Sequence, residues 1–258
     1  MMFSNELLEI VGPAIVAGLM IALTHAPLGI EVLRRGIIFI DLAVAQIAGL
    51  GLVVGNMFIH DPSPWLIQFI ALGHAIAAGL VFRKIEKTMP RHQEAIIGCA
   101  FVLAASLALL LLADHPHGGD EVKYLLSGQM LFVTWTDVAK HAPVYALILL
   151  AWFSKPGVRN NMGFYLLFAL AITSSVQLVG VYVVFASLIL PALAAVHSER
   201  PHVTAWFCGI TALLSGITIA TVFDQPVGPV IVLAYALSAI IIRTVTKSNG
   251  RDVRGVEG

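Results

Sequence analysis

Four residues able to bind a cation or a proton stand inside stretches that are otherwise apolar. Asp41 and Gln46 interrupt "RRGIIFIDLAVAQIAGLG" (34–51), His25 lies in "ALTHAPLG" (22–29), and His74 lies in "ALGHAIAAG" (71–79). Imidazole and carboxylate are the usual protein ligands of zinc and related divalent ions. Each residue also has a plainer reading: Asp41 as one half of a fixed ion pair or hydrogen bond, Gln46 as a polar link between helices, and each histidine as a hydrogen-bonded packing residue. The densest cluster of ligand types is "DHPHGGDE" (114–121), where His115 and His117 flank Pro116, with Asp114, Asp120 and Glu121 nearby. A His-x-His spacing in an extended loop can turn both rings to one side. The same residues also suit a solvated turn built on Pro and Gly-Gly, or, with His60 and Asp61, a funnel that concentrates cations.

What these residues can do depends on the solvent around them. The chain has 258 residues, of which 59% are hydrophobic and 12% charged, and its mean hydropathy is +0.91. Soluble domains carry about 25% charged residues, so this chain has too few charges to cover a surface in water. Long apolar runs separated by basic or Pro/Gly-rich breaks predict an all-α, polytopic transmembrane helical bundle of about 8–9 spans, some short or broken. Formal net charge is +0, and nothing suggests nucleic acid as a partner; membrane lipid is the expected surrounding. No cleavable signal peptide is read, because the first apolar run lacks a basic leader. Cys99 and Cys208 lie in separate apolar runs and read as packing residues.

Apolar segments fall at roughly 11–30, 37–59, 64–82, 94–113, 139–154, 163–197, 203–222 and 226–246. The transmembrane domain is expected over 1–246, followed by a polar tail at 247–258. The basic groups Arg34/Arg35, Arg83–Arg91, Lys155/Arg159, Arg200 and Arg243–Arg254 belong in the cytoplasm by the positive-inside rule. The connections at 60–64, 114–121 and 223–229 have no Lys or Arg and belong outside. This alternation requires 122–137 not to cross, and 163–197 to go out and come back through a hinge near Gly180. The segment 121–138 reads as an interfacial or re-entrant helix. Asp41 follows the Arg34/Arg35 boundary by about two turns, roughly 10 Å along a helix, which is too deep for a simple interfacial residue. An ionisable group at that depth costs about 2.5–3.5 kcal/mol and ordinarily faces a bundle interior or a wet path.

Small residues recur about every four positions in "AGLGLVVG" (48–55) and "GHAIAAG" (73–79), a spacing that lets membrane helices approach closely. Ser174, Ser175 and Gln177 precede Gly180, and Pro191 follows it. Broken helices at membrane depth are tolerated only where buried or lining a cavity, so this stretch is a second candidate wall of a path.

Taken in order, "VLRRGIIFIDLAVAQIAGLG", "EAIIGCAFVLAASLALLLL", "YLLSGQMLFVTWTDV", "VQLVGVYVVFASLILPALAA" and "FDQPVGPVIVL" resemble the zinc/manganese permease family of ABC transporters over most of the chain. The last two are the most specific. The second helix departs from the family's Gly-Asp-x-x-x-His-Ala. Aligned on Phe39 and Gly51, Asp41 falls on the Gly, Leu42 on the Asp and Gln46 on the His. The acid is thus displaced by about 100° around the helix, and the imidazole is replaced by an amide. The connection "SKPGVRNN" (154–161) is shorter than the family's cytoplasmic stretch, which includes the helix that docks on the ATPase.

The resemblance implies a multi-pass permease subunit of the cytoplasmic (inner) membrane, moving zinc or manganese as cargo. It implies a homodimer of permease subunits, a separate cytoplasmic ABC ATPase and an extracytoplasmic metal-binding protein. Asp41, His25, His74, Gln46, His115 and His117 are the candidate metal contacts. The chain has no Walker A motif and no His-Glu-x-x-His, so neither nucleotide hydrolysis nor intramembrane metalloprotease chemistry is expected of it, and no cofactor of its own. Transport of another solute, transport without ATP, and a non-transporting scaffold are the alternatives.

Overall fold

The computed structural model describes residues 2–112, 130–154, 156–159 and 162–252. His115 and His117, with the rest of the 114–121 loop, lie outside the described residues, as does most of the expected interfacial segment. Among the described residues the chain forms nine α-helices and no strand. They are α1 (Met2–Arg35), α2 (Ile40–Phe58), α3 (Pro64–Thr88), α4 (Gln93–Leu112), α5 (Trp135–Ser154), α6 (Met162–Val179), α7 (Val181–Ala195), α8 (Pro201–Val222) and α9 (Val227–Asp252). Among the described residues, seven stretches are long and apolar enough to cross a membrane: Val11–Arg35, Ile40–Phe58, Pro64–Thr88, Pro90–Leu112, Met162–Val179, Pro201–Val222 and Val227–Thr246. α7 is apolar but shorter. α5 starts earlier than the expected 139–154 and carries Asp137, Lys140 and His141 in its first turns.

The helix ends follow local chemistry. Arg34 and Arg35 close α1, each paired at 2.7 Å with Glu31 one turn back, where cations also complement the helix dipole. Gly36 then takes φ +67, the left-handed conformation that ends helices. This corrects the sequence-based depth of Asp41. The arginines end α1, four residues intervene, and Asp41 sits in the first turn of α2 rather than two turns into a helix that begins at the arginines. Its burial comes from packing and not from depth along that helix. Ser63 starts α3 by accepting from the Leu66 N–H, with Pro64 behind it. Thr134 and Asp137 start α5 as a reciprocal capping box: Asp137 Oδ2 accepts from the Thr134 N–H at 3.1 Å, and Thr134 Oγ1 accepts from the Asp137 N–H at 3.2 Å. The expected hinge is present. α6 ends at Val179, Gly180 adopts φ +78, and α7 starts at Val181.

The chain divides into two compact units, residues 1–35, 129–139 and 182–258 in the first, and 36–128 and 140–181 in the second. In the first, α1 packs on α8, α8 packs on α9, and the short turn Met130–Phe132 lies against α1. In the second, α2 packs on α3 and α4, and α3 packs on α6. The small-residue stripes work as expected: a Cβ on Gly51 would come within 2.9 Å of His74 Nδ1 and 3.1 Å of Ala71 Cα. Outward faces stay apolar: Leu103, Leu110, Leu233 and Ile240 are 60% exposed or more. Apolar faces of this extent are stable in lipid and would associate in water.

Candidate functional site

In the second unit, Asp41 is 1% exposed, and neither carboxylate oxygen has a hydrogen-bond partner. The backbone N–H groups of Asp41 and Leu42 act on it electrostatically, but none reaches hydrogen-bonding geometry. The fixed basic or amide partner required by a pure packing role is therefore not bonded to it. A group stripped of water and left unpaired is costly, and such cost persists mainly where function requires it. α2 itself starts without a side-chain cap from Phe39. Glu94, at the start of α4, instead accepts the Phe39 N–H at 3.1 Å.

Further along α2, Gln46 is half-buried. It lies five positions after Asp41, which puts the two about 140° apart around the helix. His74 of α3 lies over Gly51, about 15 Å along α2 from Asp41. Its Nδ1 is 2.8 Å from the Ile70 carbonyl oxygen. A carbonyl only accepts, so Nδ1 donates, and a ring with its proton on Nδ1 leaves the lone pair of Nε2 for a metal. Asp41, Gln46 and His74 thus mark successive positions along α2 rather than one cage. Among the described residues, no group of three or more His, Cys, Asp or Glu is arranged to hold a metal ion.

His25 belongs to the first unit and is fully buried. Its Nδ1 lies 2.8 Å from Ser187 Oγ on α7, and Ser187 Oγ donates to the Val184 carbonyl at 2.9 Å. The hydroxyl proton is thereby used, so the imidazole donates to Ser187. A Cβ at Gly29, one turn along α1, would strike the Leu188 carbonyl oxygen. His25 thus ties α1 to α7 one turn from the close approach at Gly29.

The polar residues before Gly180 are engaged. His141 of α5 bonds Ser174 at 2.7 Å, Tyr145 bonds Ser175 at 2.8 Å, and Gln177 Nε2 donates to Gln68 Oε1 of α3 at 2.6 Å. As a candidate wall, this stretch presents a hydrogen-bonded ladder rather than open hydroxyls. Thr173 Oγ1 is buried without a partner. Sequence reasoning missed His141, Gln68 and Glu94. The available signals were a third histidine inside an apolar segment, and an acid at the head of an apolar run three positions after Arg91.

These features define a class: a multi-pass helical membrane protein with broken helices and unpaired or tautomer-fixed polar groups between its spans, the arrangement expected of a solute path. The model of the ABC 3 transport family matches residues 7–156 and 158–246, and the chain belongs to that family. It is similar to the manganese transport system membrane protein MntC of Halalkalibacterium halodurans, 23% identical over 85% of this chain and 82% of that protein. It is also similar to the high-affinity zinc uptake system membrane protein ZnuB of Haemophilus influenzae, 22% identical over 90% of this chain and 96% of that protein. Among solved structures, PsaBC from Streptococcus pneumoniae in complex with Fab has the same fold, with a TM-score of 0.73 at 20% identity, covering 94% of this chain and 95% of that one.

Proposed function

We propose that this chain is the membrane-spanning permease subunit of an ABC-type divalent-metal transporter of the cytoplasmic membrane, with zinc or manganese as cargo. The observation that carries this reading is the family match along nearly the whole chain, supported by relatives named for manganese and zinc transport. Two copies would form the pathway in the lipid bilayer. A separate ATPase would supply energy on the cytoplasmic side, and an extracytoplasmic metal-binding protein would present the ion to the outer loops, with His115 and His117 as the proposed first ligands. The chain needs no cofactor of its own, since the metal is the substrate.

In this reading the ion exchanges part of its hydration shell for a few sparse ligands in succession. His74 offers Nε2 and Asp41 a carboxylate without a competing partner, while Gln46 faces another side of α2. Sparse ligands bind weakly enough to release, which suits passage better than storage. The test is uptake of zinc, manganese and iron into vesicles bearing the chain, with and without a candidate ATPase. ATP-dependent uptake of one of these metals is expected, and no metal uptake under either condition would refute the proposal. A second reading, transport without the ATPase, draws on the 154–161 connection. Its described part is a single 3-10 turn, Pro156–Arg159, with Arg159 donating back to the Trp152 carbonyl at 2.8 Å. Metal uptake that is unchanged by the ATPase would favour it.

A further inference from the structure

Gly51 of α2 and His74 of α3 meet where the two helices pack. A Cβ on Gly51 would lie 2.9 Å from His74 Nδ1, 3.0 Å from its Cγ and 3.1 Å from the Ala71 Cα. Those atoms are the base of a ring and a backbone carbon, which cannot swing aside as the tip of a flexible side chain can. A second contact holds the ring there, Nδ1 to the Ile70 carbonyl oxygen at 2.8 Å. A carbonyl oxygen has two lone pairs, so Ile70 can take this bond beside its helical one. Among the described residues Nε2 has no hydrogen-bond partner. One turn further along α2, Gly55 meets α3 differently. A Cβ there would press on the Cδ1 atoms of Ile67 at 2.8 Å and Ile70 at 3.3 Å, both ends of flexible side chains.

We propose that Gly51 is a positioning residue for His74. By lacking a side chain it lets the imidazole lie against α2, in the orientation that commits the Nδ1 proton to Ile70 and leaves Nε2 as the ligand atom. The consequence for transport rests on the permease reading; the setting of the ring does not. In Gly51→Ala, either α3 moves away or the ring turns. Moving α3 disturbs its packing on both α2 and α6, whereas turning the ring moves one side chain. The ring therefore gives way, the Ile70 bond breaks, and the proton is no longer confined to Nδ1. A metal approaching Nε2 then meets a nitrogen that carries hydrogen part of the time.

The test is the ring-nitrogen magnetic resonance of His74 in the full chain, histidine-labelled in lipid nanodiscs, at alkaline pH where the ring is neutral. Loss of the signals in His74→Gln assigns them. Wild type should show a protonated Nδ1 and a bare Nε2. Gly51→Ala should move part of the proton to Nε2, and Gly55→Ala should keep the wild-type pattern, although both add one methyl to the same helix interface. An unchanged pattern in Gly51→Ala, or the same change in both variants, would overturn the proposal. If Gly51→Ala does not fold, the His74→Ala background decides. There Gly51→Ala should fold, with a thermal midpoint close to that of His74→Ala alone; failure to fold there makes Gly51 a spacer for the Ala71 backbone and sinks the positioning role. Vesicle uptake with the ATPase separates this from the wider reading. Gly51→Ala should raise the half-saturating Zn2+ concentration at least about tenfold, the effect of losing an outer hydrogen bond to a metal-binding histidine, and Gly55→Ala should not. Wild-type uptake by a Gly51→Ala chain that shows the proton shift refutes the consequence for transport and leaves the permease standing. The proton shift in a chain that carries no metal with any ATPase sinks the permease and leaves Gly51 as the residue that sets the ring.

Discussion

Replacing Asp41 with Ala should raise stability while lowering metal uptake. Asp41 is 1% exposed and its oxygens bond to nothing. An unsatisfied buried polar group costs about 1–3 kcal/mol, more if charged, and alanine removes that cost for the loss of one small side chain. For a chain of this size, each kcal/mol moves the unfolding midpoint by about 2–4 °C. The metal-free variant should therefore unfold about 2–12 °C above wild type in the same detergent. A carboxylate held in a fixed buried pair behaves oppositely. Breaking such a pair costs about 3–5 kcal/mol, a fall of about 6–20 °C by the same conversion. The two outcomes differ in sign, so the midpoint decides between them. The assay pairs thermal unfolding of purified protein with uptake per folded molecule in vesicles. A lowered midpoint, with uptake falling only in proportion to folded protein, would refute the reasoning and make Asp41 a packing residue.

Two further outcomes follow from particular contacts. Gly180→Ala forces a Cβ into φ +78, which costs about 1–2 kcal/mol, and should lower both the unfolding midpoint and uptake, whereas alanine at an open helical position such as Gly98 should not lower the midpoint. Ser187→Ala leaves the His25 imidazole without its Ser187 contact and should destabilise by about 1–3 kcal/mol, measured by chemical unfolding in mixed micelles, with Ser187→Thr recovering part of that loss because its hydroxyl can still accept.

Much of the architecture was legible because it depends on local chemistry. Gly180 marked the break in the long apolar run, since the left-handed backbone there suits only a residue without a side chain. Small residues at 51 and 55 marked the face of α2 that meets α3, since only they admit close approach. The position of Asp41 was misjudged because the arginines before it were read as the head of α2. They are the tail of α1, and the turn at Gly36 is visible only once the chain has bent there.

Composition and the spacing of apolar runs were sufficient to establish a membrane-embedded helical protein, because the solvent selects for lengths and polarities that can be counted residue by residue; the transport family entered through the resemblance of particular motifs. Pairings between distant residues required tertiary structure: Glu94 against the start of α2, Gln177 with Gln68, and His141 and Tyr145 with Ser174 and Ser175. The same holds for which polar groups remain unpaired. A hydrogen bond or an orphaned carboxylate is a relation between helices that meet only after folding. No periodicity along one chain records which side chains will share the same dry space.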